Sequence, residues 1–174
     1  MMNSNRPTRC ALYALIVAGA ATLGGCTSLA PEFLPMGSPI EQARSGLVRP
    51  TGEFALPGGG TRLEFTRGTY GKETYMLDFD ASGALIQTEQ VLTEDNFATI
   101  TPGLSSTEVR MRLGRPSDVF GVPFQKLHVW NYRYHAGDCR WFQVSLSDAS
   151  QRVTEASIGA DPACDGPNSN PRNN

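Results

Sequence analysis

Four cysteines, two histidines and one aspartate-rich segment are the residues of this 174-residue chain whose types could do chemistry. Cys26 stands first among them. A thiolate is the strongest side-chain nucleophile near neutral pH, which suits a cysteine to covalent attachment. Cys26 directly follows Leu23-Gly24-Gly25, the end of an apolar run from Ala11 to Leu23 that is preceded by Arg6 and Arg9. A positive flank, a short apolar core and small residues at a cleavage point make residues 1–25 an export signal, and its thirteen-residue apolar run is too short to span a bilayer as a helix. Cys10 leaves with the signal, so Cys139 and Cys164 are the only pair in the folded region. In an oxidising compartment they are expected to form a disulfide closing a loop of about 25 residues, worth roughly 3 kcal/mol through chain entropy. A metal site is the poorer alternative, because no Cys-x-x-Cys spacing is present and histidines are scarce.

The remaining chemical candidates read as structural. Asp78-Phe79-Asp80-Ala81-Ser82-Gly83, with Leu85 and Glu89 following, fits the oxygen pattern of a calcium loop. That loop needs flanking helices, whereas both flanks here alternate with the period of strands, so a hairpin turn is the better reading. Pro57-Gly58-Gly59-Gly60 has no following Gly-Lys-Ser/Thr and reads as a flexible loop, not a phosphate cradle. Gly71-Lys72-Glu73-Thr74 lacks the upstream glycine of such a motif and reads as a turn. His128 and His135 have an odd spacing that puts them on opposite faces of one strand, where they cannot share a metal. No nucleophile elbow surrounds any serine, Ser145 and Ser147 included. The expectation is therefore a protein that is not an enzyme, with no metal and no cofactor.

The elements that must position these residues come in two similar sets. Removal of the signal leaves 149 residues with 13 basic and 17 acidic side chains and no lysine/arginine cluster. Nucleic acid is an unsuitable partner for such a surface, and so is direct adhesion to anionic lipid. Residues 26–36 form a tether within a proline-containing stretch that ends at Pro39, and residues 165–174 (DGPNSNPRNN) are predicted to be a disordered tail. Between them, Gly37 leads to Arg49-Pro50 over the same number of residues as Gly103 leads to Arg115-Pro116. Ser38 with Glu41, and Ser105 with Glu108, match the capping box of a helix start. Alternating strand patterns follow each: Leu63 and Phe65, then Tyr75, Leu77 and Phe79, then Leu85 to Val91 in the first copy. The second copy has Trp130, Tyr132 and Tyr134, then Phe142, Val144 and Leu146, then Val153 to Ile158. Residues 37–92 and 93–164 are thus expected to be two tandem units, each a helix followed by a three-stranded antiparallel meander, giving an α+β fold.

The Leu-Gly-Gly-Cys end of the signal resembles the bacterial lipobox, in which the cysteine is lipid-modified and becomes the first residue of the mature protein. The second copy resembles the SmpA/OmlA (BamE-like) family of small outer-membrane lipoproteins. The resemblance covers Ile100 to Ile158, through Ile100-Thr101-Pro102-Gly103-Leu104-Ser105, Val109, Leu113-Gly114-Arg115-Pro116, Trp130-Asn131-Tyr132, Val144, Leu146 and Val153. The first copy is a degenerate version, with Leu63-Glu64-Phe65 in place of Trp130-Asn131-Tyr132. The tandem arrangement is similar in plan to the secreted β-lactamase inhibitor proteins. These resemblances imply lipidation at Cys26, an α+β fold and a location on the outer membrane facing the periplasm. Thr27 stands where an aspartate would retain a lipoprotein at the inner membrane.

If Trp130, Tyr132, Phe142 and Val144 face the helices, then Asn131, Arg133, Trp141 and Gln143 face outward from neighbouring strands. An aromatic beside an arginine on an open sheet is the composition of a protein-contact hot spot. The alternative is that Trp141 is covered by the other copy or by the chain near Cys164. The functional expectation is a lipid-anchored protein-binding module, an accessory or scaffold in outer-membrane assembly or envelope integrity. An inhibitor or sequestering module for a periplasmic enzyme is the rival.

Overall fold

The computed structural model describes residues 30–136 and 139–162. The export signal, Cys26, Cys164 and the tail 165–174 lie outside these residues, as does the beginning of the tether. The first half runs α1 (Ile40–Ser45), β1 (Gly52–Ala55), β2 (Thr61–Arg67), β3 (Glu73–Phe79) and β4 (Leu85–Gln90). The second runs α2 (Glu94–Phe97), α3 (Ser106–Leu113), β5 (Asp118–Val122), β6 (Leu127–Arg133), β7 (Arg140–Ser147) and β8 (Val153–Ala160). Each set of four strands forms one antiparallel sheet in sequential order.

The α+β class expected from the sequence is therefore wrong. The fold is β-rich, built on two four-stranded sheets, and α1, α2 and α3 have only 6, 4 and 8 residues. Each meander gains a strand that the periodicity does not signal, β1 and β5. β1 alternates between half-buried and exposed positions but over only four residues, too few to set a period, and Val119, Phe120 and Gly121 of β5 are all exposed, with no alternation at all.

Equivalent backbone bonds recur in the two halves. Gly37 N–H donates to the Leu85 carbonyl and Gly103 N–H to that of Val153. Ile40 donates to Gly83, and Ser106 to Gln151. Pro39 bridges Ala84 as Ser105 bridges Arg152, and a register shift falls between Asp78 and Phe79 as between Ser145 and Leu146. One expected match is lost. Ser105 Oγ accepts from Glu108 N–H at 3.2 Å while Glu108 accepts from Ser105 N–H at 2.8 Å, a complete capping box. These bonds hold the Glu108 carboxyl below its usual range, first through the Ser105 hydroxyl. In the first half the N-cap is Pro39, which has no side-chain bond, and the carbonyl of Ser38 accepts from Leu85 N–H.

Two apolar clusters divide the interior. Leu63, Phe65, Leu77, Phe79 and Leu85 pack with Leu34 and Ala43 on one face of the first sheet. Phe97, Ile100, Val109, Leu113, Tyr132, Phe142, Val144, Leu146 and Val153 form the other, joined by Met76 from the opposite face of the first sheet. Phe97 makes a four-residue helix worth forming: its ring stacks on Phe142 at 4.3 Å and meets Tyr134 edge-on at 4.9 Å. The first sheet is thus covered on both faces, which is why Leu63, Glu64 and Phe65 are all fully buried in succession. The cover on its second face is the C-terminal end of α3. Arg62 Nη1 donates to the Met111 carbonyl, Arg115 N–H donates to Glu64, and Tyr132 Oη donates to the Gly114 carbonyl.

Candidate protein-contact site

The four residues expected to form a contact surface do share one face. Arg133 of β6 is directly opposite Trp141 of β7, and Asn131 is opposite Gln143. That face is not open, however. Asn131 is 0 % exposed and Trp141 9 %. Gln143 Nε2 donates to Asn131 Oδ1 at 3.0 Å, and Asn131 Nδ2 donates weakly to Asp118 at 3.4 Å. Arg133 Nε donates to Asp161 at 2.6 Å, and its guanidinium lies 5.5 Å from the centre of the Trp141 ring and 5.6 Å from that of Tyr70. The hydrogen bonds and charge of Asp161 raise the affinity of Arg133 for its proton. The polar and aromatic groups that read as a hot spot are thus satisfied by one another, with Arg133 clamped between two rings and a carboxylate.

Asp161 is buried and needs its cation. Arg133→Ala is expected to lower the unfolding free energy by about 2 kcal/mol, because it removes the two charge-assisted bonds that Arg133 gives that carboxylate. A urea midpoint unchanged from the parent chain would show that the clamp contributes nothing.

Two consecutive large apolar side chains are accessible one strand further out, on β5. This edge strand pairs only with β6. Val119 is 51 % exposed and Phe120 41 %, and Phe124 in the following turn is fully exposed. At the N-terminal end of β5 is a recess of about 410 Å³ lined by Arg110, Arg115, Ser117, Asp118, Val119 and Trp130. Arg110 reaches Glu64 only at 3.4 Å through Nη2, and its buried Nε has no hydrogen-bond partner. The side chain of Arg115 makes no ion pair or hydrogen bond among the described residues. Sequence periodicity passes over this region; its one signal is the apolar run Val119–Val122 bounded by Asp118 and Pro123.

The other chemical candidates occupy structural positions. Asp78 is bound through both oxygens by Arg62, at 2.6 and 2.7 Å. Asp80 accepts from Ser82 and Ala84 N–H groups to shape the β3–β4 turn. His128 pairs with Asp148 at 2.9 Å and His135 with Glu73 at 3.0 Å, each away from the other. No cluster of three metal-ligating side chains occurs among the described residues. Cys139 is disulfide-bonded. Its expected partner, Cys164, lies outside the described residues, so the identity of the pair stays an expectation.

The chain matches no protein-family model, no curated protein and no solved structure. The SmpA/OmlA resemblance rests on the residues quoted above.

Proposed function

We propose that this protein is a protein-binding module, anchored by lipid at Cys26 and facing the periplasm from the outer membrane. It acts as an accessory or scaffold in outer-membrane assembly or envelope integrity. The observation that supports binding is the uncharged, exposed run of β5 with Val119, Phe120 and the fully exposed Phe124, on a fold whose other strands bury most of their large apolar side chains. Exposed apolar groups gathered on a sheet edge mark an interaction site more often than chance. The anchor supports the address: acyl chains hold the protein at the membrane without a basic or apolar membrane face. Cys139 and Cys164 are proposed as the disulfide pair.

Cross-linking of the anchored protein in cells, followed by pull-down, tests the reading. Recovery of barrel-assembly components is expected, and recovery of one periplasmic enzyme alone would replace the scaffold with a sequestering module. Metabolic palmitate labelling is expected to vanish in Cys26→Ala. Label that persists in that variant removes the lipoprotein assignment.

A further inference from the structure

We propose that β5 and the recess at its N-terminal end receive the free C-terminus of an extended polypeptide. The partner's last residues add as a fifth strand beside β5, and its terminal carboxylate lies against Arg110 and Arg115. This rests on the protein-binding reading and names the chemistry of the partner.

Three observations converge on it. The first is the edge itself. Proteins blunt open edges with charge or proline, yet between Asp118 and Pro123 β5 offers only Val119, Phe120, Gly121 and Val122. The other edges differ: β1 is four residues long with Glu53 ion-paired to Arg44, β4 sets the exposed Ile86 among Gln87, Glu89 and Gln90, and β8 sets Ile158 among Thr154, Glu155 and Ser157. The second is direction. Every strand pairing in both sheets is antiparallel. A strand that continues the pattern runs against β5, so its final residue arrives at Asp118, beside the recess. A parallel strand would bring its ammonium group to the same two arginines. The third is the chemistry of that recess. Arg115 has no ionic partner among the described residues, Arg110 has an unused buried Nε–H, and Asp118 is the single acid in the lining. Guanidinium forks match a carboxylate in two parallel bonds. Along the strand, alternate partner side chains fall beside Phe120 and Val129 on one face and beside Val119 and Trp130 on the other. That alternation favours apolar residues in the partner.

The test is fluorescence anisotropy of the full chain in detergent with a labelled hexapeptide of alternating valine and threonine that ends in a free carboxylate. The free acid is expected to bind, and the C-terminal amide to bind at least about tenfold more weakly, the worth of a charge-assisted pair. Arg115→Gln is expected to bring the acid down to the level of the amide. Two further peptides, N-methylated on alternate amides in the two possible phases, separate strand addition from simple ionic capture: the phase facing β5 should lose binding. Gly121→Lys should block the edge without unfolding, because a Cβ at Gly121 meets no atom within 4 Å. Equal binding of acid and amide, indifference to methylation in both phases, or no binding of the acid overturns the proposal. Recovery of the same cross-linked cellular partners by Gly121→Lys also overturns it, while leaving the binding-module reading in place.

Discussion

Gly114→Ala is expected to lower the unfolding free energy by about 3 kcal/mol, a fall in melting temperature of roughly 6–12 °C for a domain of this size. Two costs add. Gly114 closes α3 with a φ of +77°, on the side of backbone space where an L side chain costs about 1–2 kcal/mol. A methyl group there would also lie 2.7 Å from Thr74 Cγ2, 3.0 Å from the carboxyl carbon of Glu64 and 3.2 Å from Met76 Cε. Thr74, Glu64 and Met76 are all buried on the first sheet and cannot swing into solvent, so overpacking costs a further 1–3 kcal/mol or so. Gly121→Ala is the control: its Cβ would stand in open space, and a change within about 0.5 kcal/mol is expected. Thermal and urea denaturation of both variants decide the matter. If Gly114→Ala were as mild as the control, the close approach of α3 to the first sheet would not be what holds the halves together.

Glu64→Ala is expected to cost about 3–5 kcal/mol, as is typical when one member of a buried charged network is removed. Glu64 is 0 % exposed. Its carboxylate accepts from Arg115 N–H at 3.0 Å, Thr51 Oγ1 at 2.8 Å and Thr66 Oγ1 at 3.1 Å, and it lies 3.4 Å from Arg110 Nη2. Truncation leaves a cavity, an orphaned backbone N–H at the end of α3 and a part-buried guanidinium without its acid. Glu64→Gln keeps the volume and one acceptor oxygen, so it should fall between the parent and the alanine variant. A loss below about 1 kcal/mol for Glu64→Ala, measured by urea titration, would mean that solvent replaces the carboxylate and the network is not closed.

Glu64 and Asn131 show where sequence reading runs out. In the strand pattern Glu64 alternates with Leu63 and Phe65 and so reads as a solvent-facing position, as does Asn131 between Trp130 and Tyr132. The structure buries both. Glu64 is buried because α3, some 45 residues later in the chain, lays its C-terminal turn on that face. Asn131 is buried under its own cross-strand partners. Local periodicity reports which residues share a face, but not whether a distant segment covers the other one. The same limit explains the contact site. The side-by-side placement of Asn131, Arg133, Trp141 and Gln143 was legible from register. Their closure by Asp161 and Tyr70 depends on residues 28 and 63 positions from Arg133 in sequence. β5 escaped for the opposite reason: an edge strand with exposed residues has no buried side to impose a period of two.

The class of the fold turned on the same physics. Capping at Ser105 and Glu108 is a local bond between residues three apart, and the helix it announces is present. The length of that helix and the addition of β1 to the first sheet and of β5 to the second are settled by tertiary packing, which favours pairing exposed backbone over leaving it as loop. From residue order alone came the two similar halves, the paired faces of the six inner and trailing strands and the turn at Asp80–Gly83. These follow from short-range chemistry: side-chain alternation, and hydrogen bonds within a few residues. Only the tertiary structure decided that the fold is β-rich, that Gly114 and Glu64 join the halves, that Asp161 and Tyr70 close over the aromatic-arginine patch and that the edge strand β5 leaves Val119 and Phe120 exposed. Each of those depends on which distant surfaces meet, and burial is a property of the meeting.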